Sequence, residues 1–352
     1  MKKIAIITIK DNNNLGNRLQ NYAVQKIYED IGCKAVTIKN SSRSILMNKY
    51  KLFVLNILKT IKEQLQKITE KNNSRKHCFD CFDKNIHYSI NYICKQNATS
   101  FLKKYNYISV GSDQVWNYKI GRLSDIELLK YTPREKNIAF SASAAVEEFP
   151  VKRTEELKNA FNNFAHISVR EQKTQLLISE LTGRDDVELF LDPTLLLTAE
   201  DWQKLEKKPY FLKEKYILVY FLSEQKKEIY AQINEYAKRV SVSVVDISKK
   251  GSIENNIGPS EFLYLEHHAE CIFTDSFHAC AYAINYNRPF YVYKRSDGQM
   301  YSRIESLLEH FNLQSCTYDG TVQNKQYSFN HANSILYNER KDTINIIKSW
   351  IE

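Results

Sequence analysis

His278 lies three residues beyond Asp275 in the stretch TDSFHACAYAINY, where an apolar run turns into a helical pattern. Asp275 ends the run ECIFTD, Ser276 has the hydroxyl of an N-cap, and His278 then falls in the first turn of the next helix. The positive end of a helix favours uncharged imidazole, which is the form a general base needs. A lone histidine in such a place is more often a packed structural residue, and these residues by themselves leave both readings open.

Other stretches place polar groups where an apolar run stops. DNNNLGNRLQNYA brings Gly16, Asn17 and Arg18 to the start of a helix, without the three spaced glycines of a dinucleotide fingerprint. GSDQVWN offers Ser112, Asp113 and Gln114, a compact polar group suited to lining a cleft, although Asp113 could equally cap a helix. In HISVREQ, Arg170 stands beside Glu171; it can pair with its neighbour or turn its planar fork to a carboxylate or phosphate, and the second is the expectation. SASA adds a further small polar group at a strand end. His77, Cys78, Cys81, His87 and Cys94 fall close together, but a single CxxC without a second pair reads as apolar packing around Phe79 and Phe82. No metal centre is expected.

The elements that must position these groups alternate. KKIAIITI, KAVTIK, YNYISVGSD, NIAFSAS, HISVRE and VELFLDPT read as buried strands, separated by helical patterns such as RLQNYAVQKIYED, with Gly32 placed to end that helix. A charged stretch then precedes a second series, with strands YILVYFL, SVSVVDIS, ECIFTD and FYVYK. This predicts an α/β protein of two lobes built on parallel sheets: an N-terminal lobe over 1–205 and a C-terminal lobe over 206–352 that ends in one or two helices. Such a tail can pack back across the first lobe. Ligands of parallel sheets bind beyond the carboxyl ends of the strands, where the candidate residues lie.

A chain of 352 residues, 43% hydrophobic and 26% charged, has room for two cores, and its 23 Tyr and 17 Phe make it rich in aromatic surface. The apolar run Ile4–Ile9 is too short for a signal peptide or a membrane span, so a cytoplasmic protein with reduced thiols is expected. Between Arg43 and Lys76, nine Lys/Arg face only Glu63 and Glu70, which accounts for most of the net charge of +9. No basic stripe recurs elsewhere, so an anionic surface is a better partner than nucleic acid. From Ile45 to Ile68 an apolar stripe at helical spacing runs through this basic segment, an insertion near 45–70 that either covers a lobe or lies on anionic lipid headgroups.

Taken in order, GNRLQNYA, VGSDQVWN, SVRE, LDPTLLL and TDSFHACAYAI resemble the polysaccharide pyruvyl transferase family over nearly the whole chain. The resemblance implies two Rossmann-like lobes with a cleft between them, as in GT-B glycosyltransferases. It also implies transfer of the pyruvyl group of phosphoenolpyruvate onto two hydroxyls of a sugar, as a ketal, in cell-surface polysaccharide synthesis such as that of capsule or exopolysaccharide. On this basis His278 matches the general acid/base, with Asp275 and Asp113 orienting it or taking the other proton step. Arg170, Gly16, Asn17, Arg18, Ser112, Gln114 and Ser276 form the substrate surface. No cofactor is implied beyond the donor, and the acceptor is a sugar or a lipid-linked oligosaccharide, which gives the basic segment a reason to touch the inner face of the membrane. The chain departs from the family where well-studied members carry an arginine two residues before the histidine: here it is Ser276, leaving Arg288, Lys294, Arg295 or Arg303 as sources of charge. That departure leaves room for a GT-B-type glycosyltransferase using a nucleotide sugar, and a non-catalytic glycan-binding member is a further alternative.

Overall fold

The structure is a computed structural model that describes residues 1–11, 13–40, 75–249, 251–295, 301–323 and 328–351. The stripe from Ile45 to Ile68 lies outside the described residues.

The first lobe is a parallel sheet of β1 (Lys3–Ile7), β2 (Lys34–Asn40), β3 (Tyr88–Ile93), β4 (Tyr107–Asp113), β5 (Asn137–Ala142), β6 (His166–Val169) and β7 (Val187–Leu189). Their order is β3-β2-β1-β4-β5-β6-β7. Helices α1 (Leu15–Asp30), α2 (Arg75–Phe82), α3 (Ala98–Leu102), α4 (Thr154–Asn162) and α5 (Gln172–Thr182) punctuate these strands, and the short α6 (Pro193–Leu196) and α7 (Ala199–Gln203) follow β7. The second lobe holds β8 (Tyr216–Tyr220), α8 (Lys227–Arg239), β9 (Ser243–Asp246), α9 (Pro259–His268), β10 (Ile272–Thr274), α10 (Phe277–Asn285), β11 (Phe290–Val292), α11 (Tyr301–His310) and α12 (Asn330–Ile351). Its strands pair in the order β11-β10-β8-β9, also parallel. The chain passes from the first sheet to the second between Leu189 and Tyr216.

Period-two alternation explains why these runs are strands. In β1, Ile4 and Ile6 enter one core while Ala5 and Ile7 enter another on the opposite face, so the strand is apolar throughout because both faces are covered. The core containing Ile4 continues through α1, α6 and α10 to Leu218 and Ile272, so the inner layers of the two lobes are one apolar body. The strand that the sequence reading omits, β3, is the edge of its sheet: Ile90 is 92% exposed and polar residues interrupt the run, so it lacks the continuous apolar signature of its neighbours.

The closing stretch is one helix of 22 residues. Arg340 of α12 donates to Leu195 O, Leu197 O and Asn285 Oδ1, and Trp350 stacks on His166 and Phe190 with ring centroids 5.0 and 5.4 Å apart. The tail thus crosses from the second lobe to the first. At the cleft side, Arg75 of α2 donates to Asn13 O at 2.8 Å and Asn255 O at 2.9 Å, joining a loop of each lobe.

Candidate active site

In each sheet one pair of neighbouring strands sends its connections to opposite sides: β1 with β4 in the first lobe, β8 with β10 in the second. Crevices open at such switch points, beyond the carboxyl ends of the strands. Gly16 and Gln114 from the first crevice, with Ser276, His278 and Arg303 from the second lobe, line one cavity of about 160 Å³ between the lobes.

Two helix starts meet there. Asn14 caps α1 by accepting from Asn17 N at 3.0 Å, and the Ser276 hydroxyl caps α10 by accepting from Ala279 N at 3.5 Å. His278 in the first turn of α10 lies flat against the first turn of α1, so that a Cβ on Gly16 would stand 2.1 Å from its Nδ1. Only a residue without a side chain admits the ring. Both macrodipoles direct their positive ends into this space, which favours an anionic ligand.

Beneath the imidazole lies a buried ion cluster. Arg170, with its side chain 1% exposed, places Nη1 2.6 Å from Asp192 Oδ2 and Nη2 3.1 Å from Asp113 Oδ1. Asn17 Nδ2 donates to the other oxygen of Asp113 at 2.7 Å, and Asp192 also accepts from Thr194 N and Oγ1, capping α6. Burial opposes the charge of Asp113, but Arg170, His278 and the Asn17 amide outweigh it and hold the carboxyl at about 2. Asp192 is likewise held below its ordinary value, burial being overcome by Arg170 and His278. For His278 burial dominates and lowers its affinity for protons; Asp192 and Asp113 oppose that trend, Arg170 and Arg303 add to it. The resting ring is therefore neutral at pH 7.

Backbone geometry aims these groups. Gly111 has φ +116° and a Cβ there would meet Phe140 O at 2.3 Å, so glycine lets β4 bend against β5. Asp113 follows with φ 71°, and Ser141 at the end of β5 has φ 45°, two non-glycine residues in the left-handed region at adjacent strand ends. The serines of SASA fasten this edge: Ser141 Oγ donates to Leu191 O, and Ser143 Oγ to Glu171 Oε1 at 2.7 Å. Glu171 in turn reaches the second lobe, with Arg303 Nε 2.8 Å from Oε1. The Arg303 guanidinium lies over the Phe277 ring at 4.8 Å. Its Nη2 and the Nε2 of His278 are buried without a hydrogen-bond partner among the described residues.

The structure gathers most of the candidate residues and corrects the posture of three. Arg18 does not face the cleft: its fully buried side chain runs to Asp83, with Nε 2.8 Å from Oδ1, and donates to the Tyr88 hydroxyl. Arg170 does not offer an open fork, because both its Nη atoms are taken by carboxylates. Asp275 borders the cavity, yet its oxygens accept from Leu222 N, Ser223 N, Ser223 Oγ and Gln225 Nε2, so it ties the loop after β8 to the end of β10. Asn17 acts through Asp113, Gln114 accepts from Asn117 Nδ2, and the Ser112 hydroxyl donates to Ser141 O. Asp192 and Glu171 went unassigned in the sequence reading. The former stood in the LDPTLLL motif without a role of its own, and nothing local revealed its arginine partner. Cys81 Sγ and His77 Nε2 are 3.5 Å apart on α2, whose Phe79 and Phe82 are core residues.

Residues 14–297 match the family model for polysaccharide pyruvyl transferase. No curated protein matches the chain by sequence. Among solved structures, the chain resembles the UDP-N-acetylglucosamine 2-epimerase of Rickettsia bellii, at 12% identity and TM-score 0.50, with 100% of this chain and 97% of the other covered. It also resembles the UDP-GlcNAc 2-epimerase of Neisseria meningitidis bound to UDP-GlcNAc, at 14% identity and TM-score 0.50, covering 100% and 93%. A third is the glycosyltransferase SnogD from Streptomyces nogalater, at 9% identity and TM-score 0.45, covering 100% and 99%. The first two likenesses concern the fold alone, two Rossmann-like lobes in the GT-B arrangement.

Two substitutions separate support from chemistry. Arg170→Ala strands two buried carboxylates and should cost about 3–5 kcal/mol in urea unfolding at pH 7. The native pair contributes stability above the ordinary Asp range that is lost as pH falls through the depressed values, so the gap between the two proteins should narrow toward pH 3. A gap that stays constant with pH would show that the ion cluster is not its source. Gly16→Ala should leave the circular dichroism spectrum of each lobe intact while reducing turnover at least about 100-fold, since the imidazole must leave its seat; unchanged turnover would refute this seating of the ring.

Proposed function

The chain belongs to the polysaccharide pyruvyl transferase family and is a transferase, and we propose that it moves the enolpyruvyl group of phosphoenolpyruvate onto two hydroxyls of a cell-surface polysaccharide precursor, closing a pyruvate ketal. The observation that carries this reading is the seat of His278: a neutral imidazole, its Nε2 without a partner among the described residues, between two helix starts and above a pair of ionised carboxylates.

Phosphoenolpyruvate carries a carboxylate and a phosphate, and the cleft supplies the means to hold both. The N-termini of α1 and α10 attract one anion, and Arg303, whose Nη2 has no hydrogen-bond partner among the described residues, meets the other, standing in for the arginine that Ser276 replaces. Arg303 lies outside the matched span 14–297.

In the first step a sugar hydroxyl attacks C2 of the donor, its proton passes to His278, and the methylene carbon C3 takes a proton to become methyl. Asp113 is held at about 2 and Asp192 is also depressed, so neither is a proton donor at neutral pH; they stabilise the imidazolium as it forms, and His278 relays the proton to C3. A second hydroxyl then displaces phosphate from C2, and its proton leaves with the phosphate. No metal or cofactor enters this scheme. We assign the acceptor as a sugar or a lipid-linked oligosaccharide and the site of action as the cytoplasmic face of the membrane, where the basic segment 45–68 meets anionic headgroups. None of the helices among the described residues is long and apolar enough to cross a membrane.

Thermal melting with phosphoenolpyruvate and with a panel of nucleotide sugars tests the donor, because a ligand of the folded state raises its melting point. Selective stabilisation by phosphoenolpyruvate is expected, weakened in Arg303→Ala and retained in His278→Ala, while His278→Ala loses about 10²–10⁴-fold of acceptor-dependent phosphate release. Stabilisation by a nucleotide sugar alone would transfer the protein to glycosyl transfer, and glycan binding without any turnover would make it a binding member. Because burial lowers His278, the acid limb of kcat/KM should fall with decreasing pH and have its midpoint below the ordinary value of about 6.5. A midpoint above that value, or activity that rises on acidification, would contradict a neutral imidazole base.

A further inference from the structure

On the side of the amino ends of the second sheet's strands, away from the cleft, α9 ends in two consecutive histidines before the chain turns into the inner strand β10. Helices that lead into a parallel strand finish at its amino end, so this place is separated from the active site by the thickness of the lobe. Glu206, from the segment joining the two sheets, lies beneath both rings: Oε1 is 2.9 Å from His267 Nδ1 and Oε2 is 3.2 Å from His268 Nε2. One ligand atom from each of the three residues can be chosen within 4.8 Å of the others.

The rings are fixed rather than free. His267 stacks on Tyr286 with centroids 4.6 Å apart and planes at 17°, and His268 stacks on Tyr264 at 4.2 Å and 29°. The other nitrogen of His267 lies 3.4 Å from the Gln203 amide nitrogen. Turned about its last bond, that amide would present oxygen to an N–H, the outer-shell contact that orients a metal-bound histidine. Side-chain exposure grades from 9% at Glu206 to 42% at His268, which leaves an entry path from solvent.

We propose that Glu206, His267 and His268 form a binding site for a divalent transition-metal ion of the zinc class, tying the segment between the sheets to the end of α9. Two imidazoles and a carboxylate are a nitrogen and oxygen donor set for zinc, with a fourth position for water, and this set does not suit calcium or magnesium, which prefer oxygen alone. Arg288 and Lys208 bear on this cluster and disfavour a second cation, which moderates the affinity without changing the donor set.

The site is independent of the donor at the cleft, and its test does not use activity. Full-length protein with any histidine tag removed and stripped with chelator is titrated with ZnCl₂ by calorimetry and with CoCl₂ by visible absorption, with MgCl₂ as control. One equivalent of Zn²⁺ should bind and raise the melting point. Cobalt should give ligand-field bands without thiolate charge-transfer absorption. Loss of an outer-shell partner costs metal sites about 10–100-fold in affinity, so loss of a ligand in Glu206→Gln or His268→Ala should cost at least that. Cys78→Ser/Cys81→Ser should bind as the native chain does. Glu206→Gln is nearly isosteric and keeps the test valid should His268→Ala fold poorly. Absence of stoichiometric zinc binding, full affinity in Glu206→Gln, or loss only in the cysteine variant would overturn the proposal.

Discussion

A guanidinium deep inside a protein must be matched by negative charge, and the matching of Arg170 by Asp113 and Asp192 organises everything around the cleft. The three residues come from the end of β4, the end of β6 and the start of α6, places far apart in sequence that the sheet brings to one point. Because an uncompensated charge there costs several kcal/mol, the cluster admits few arrangements, and each partner positions something further. Asp113 holds the Asn17 amide and so the first turn of α1. Asp192 holds α6, on which α10 and α12 also rest. The reactive imidazole is thus positioned by ionic contacts that it does not itself make.

The two lobes are less separate than a cleft suggests. The core that begins at Ile4 runs without a break to Ile272, and α12 closes the arrangement by stacking Trp350 on residues of the first sheet. Polar bridges sit nearer the opening: Arg303 with Glu171, and Arg75 with a loop from each side. An apolar hinge region with ionic and hydrogen-bonded contacts toward the mouth is an arrangement in which small rotations alter the mouth most.

Sequence reading recovered the alternation of strands and helices because buried parallel strands are continuous apolar runs, and a helix cap such as Ser276 acts through a neighbour three residues away. It missed β3, whose edge position removes that signal. It put His278, Asp113 and Gly16 at strand ends and helix starts, where ligands of parallel sheets bind, and the family resemblance joined them in one site. Where it failed, the deciding contact was nonlocal. Arg18 belongs to Asp83, Arg170 to Asp192, and Asp275 to the loop after β8, pairings that no spacing along the chain encodes. The pair at 267–268 was equally silent, since its carboxylate lies some sixty residues earlier.

The contact between Gly16 and His278 joins the proton to the mechanics of the protein. The ring is buried because a helix of the opposite lobe lies on it, and burial is the largest reason why it holds protons weakly. By linkage, a proton on that nitrogen must act against the contact as strongly as the contact acts against the proton. Acidification therefore weakens the contact between the two helix starts at this point.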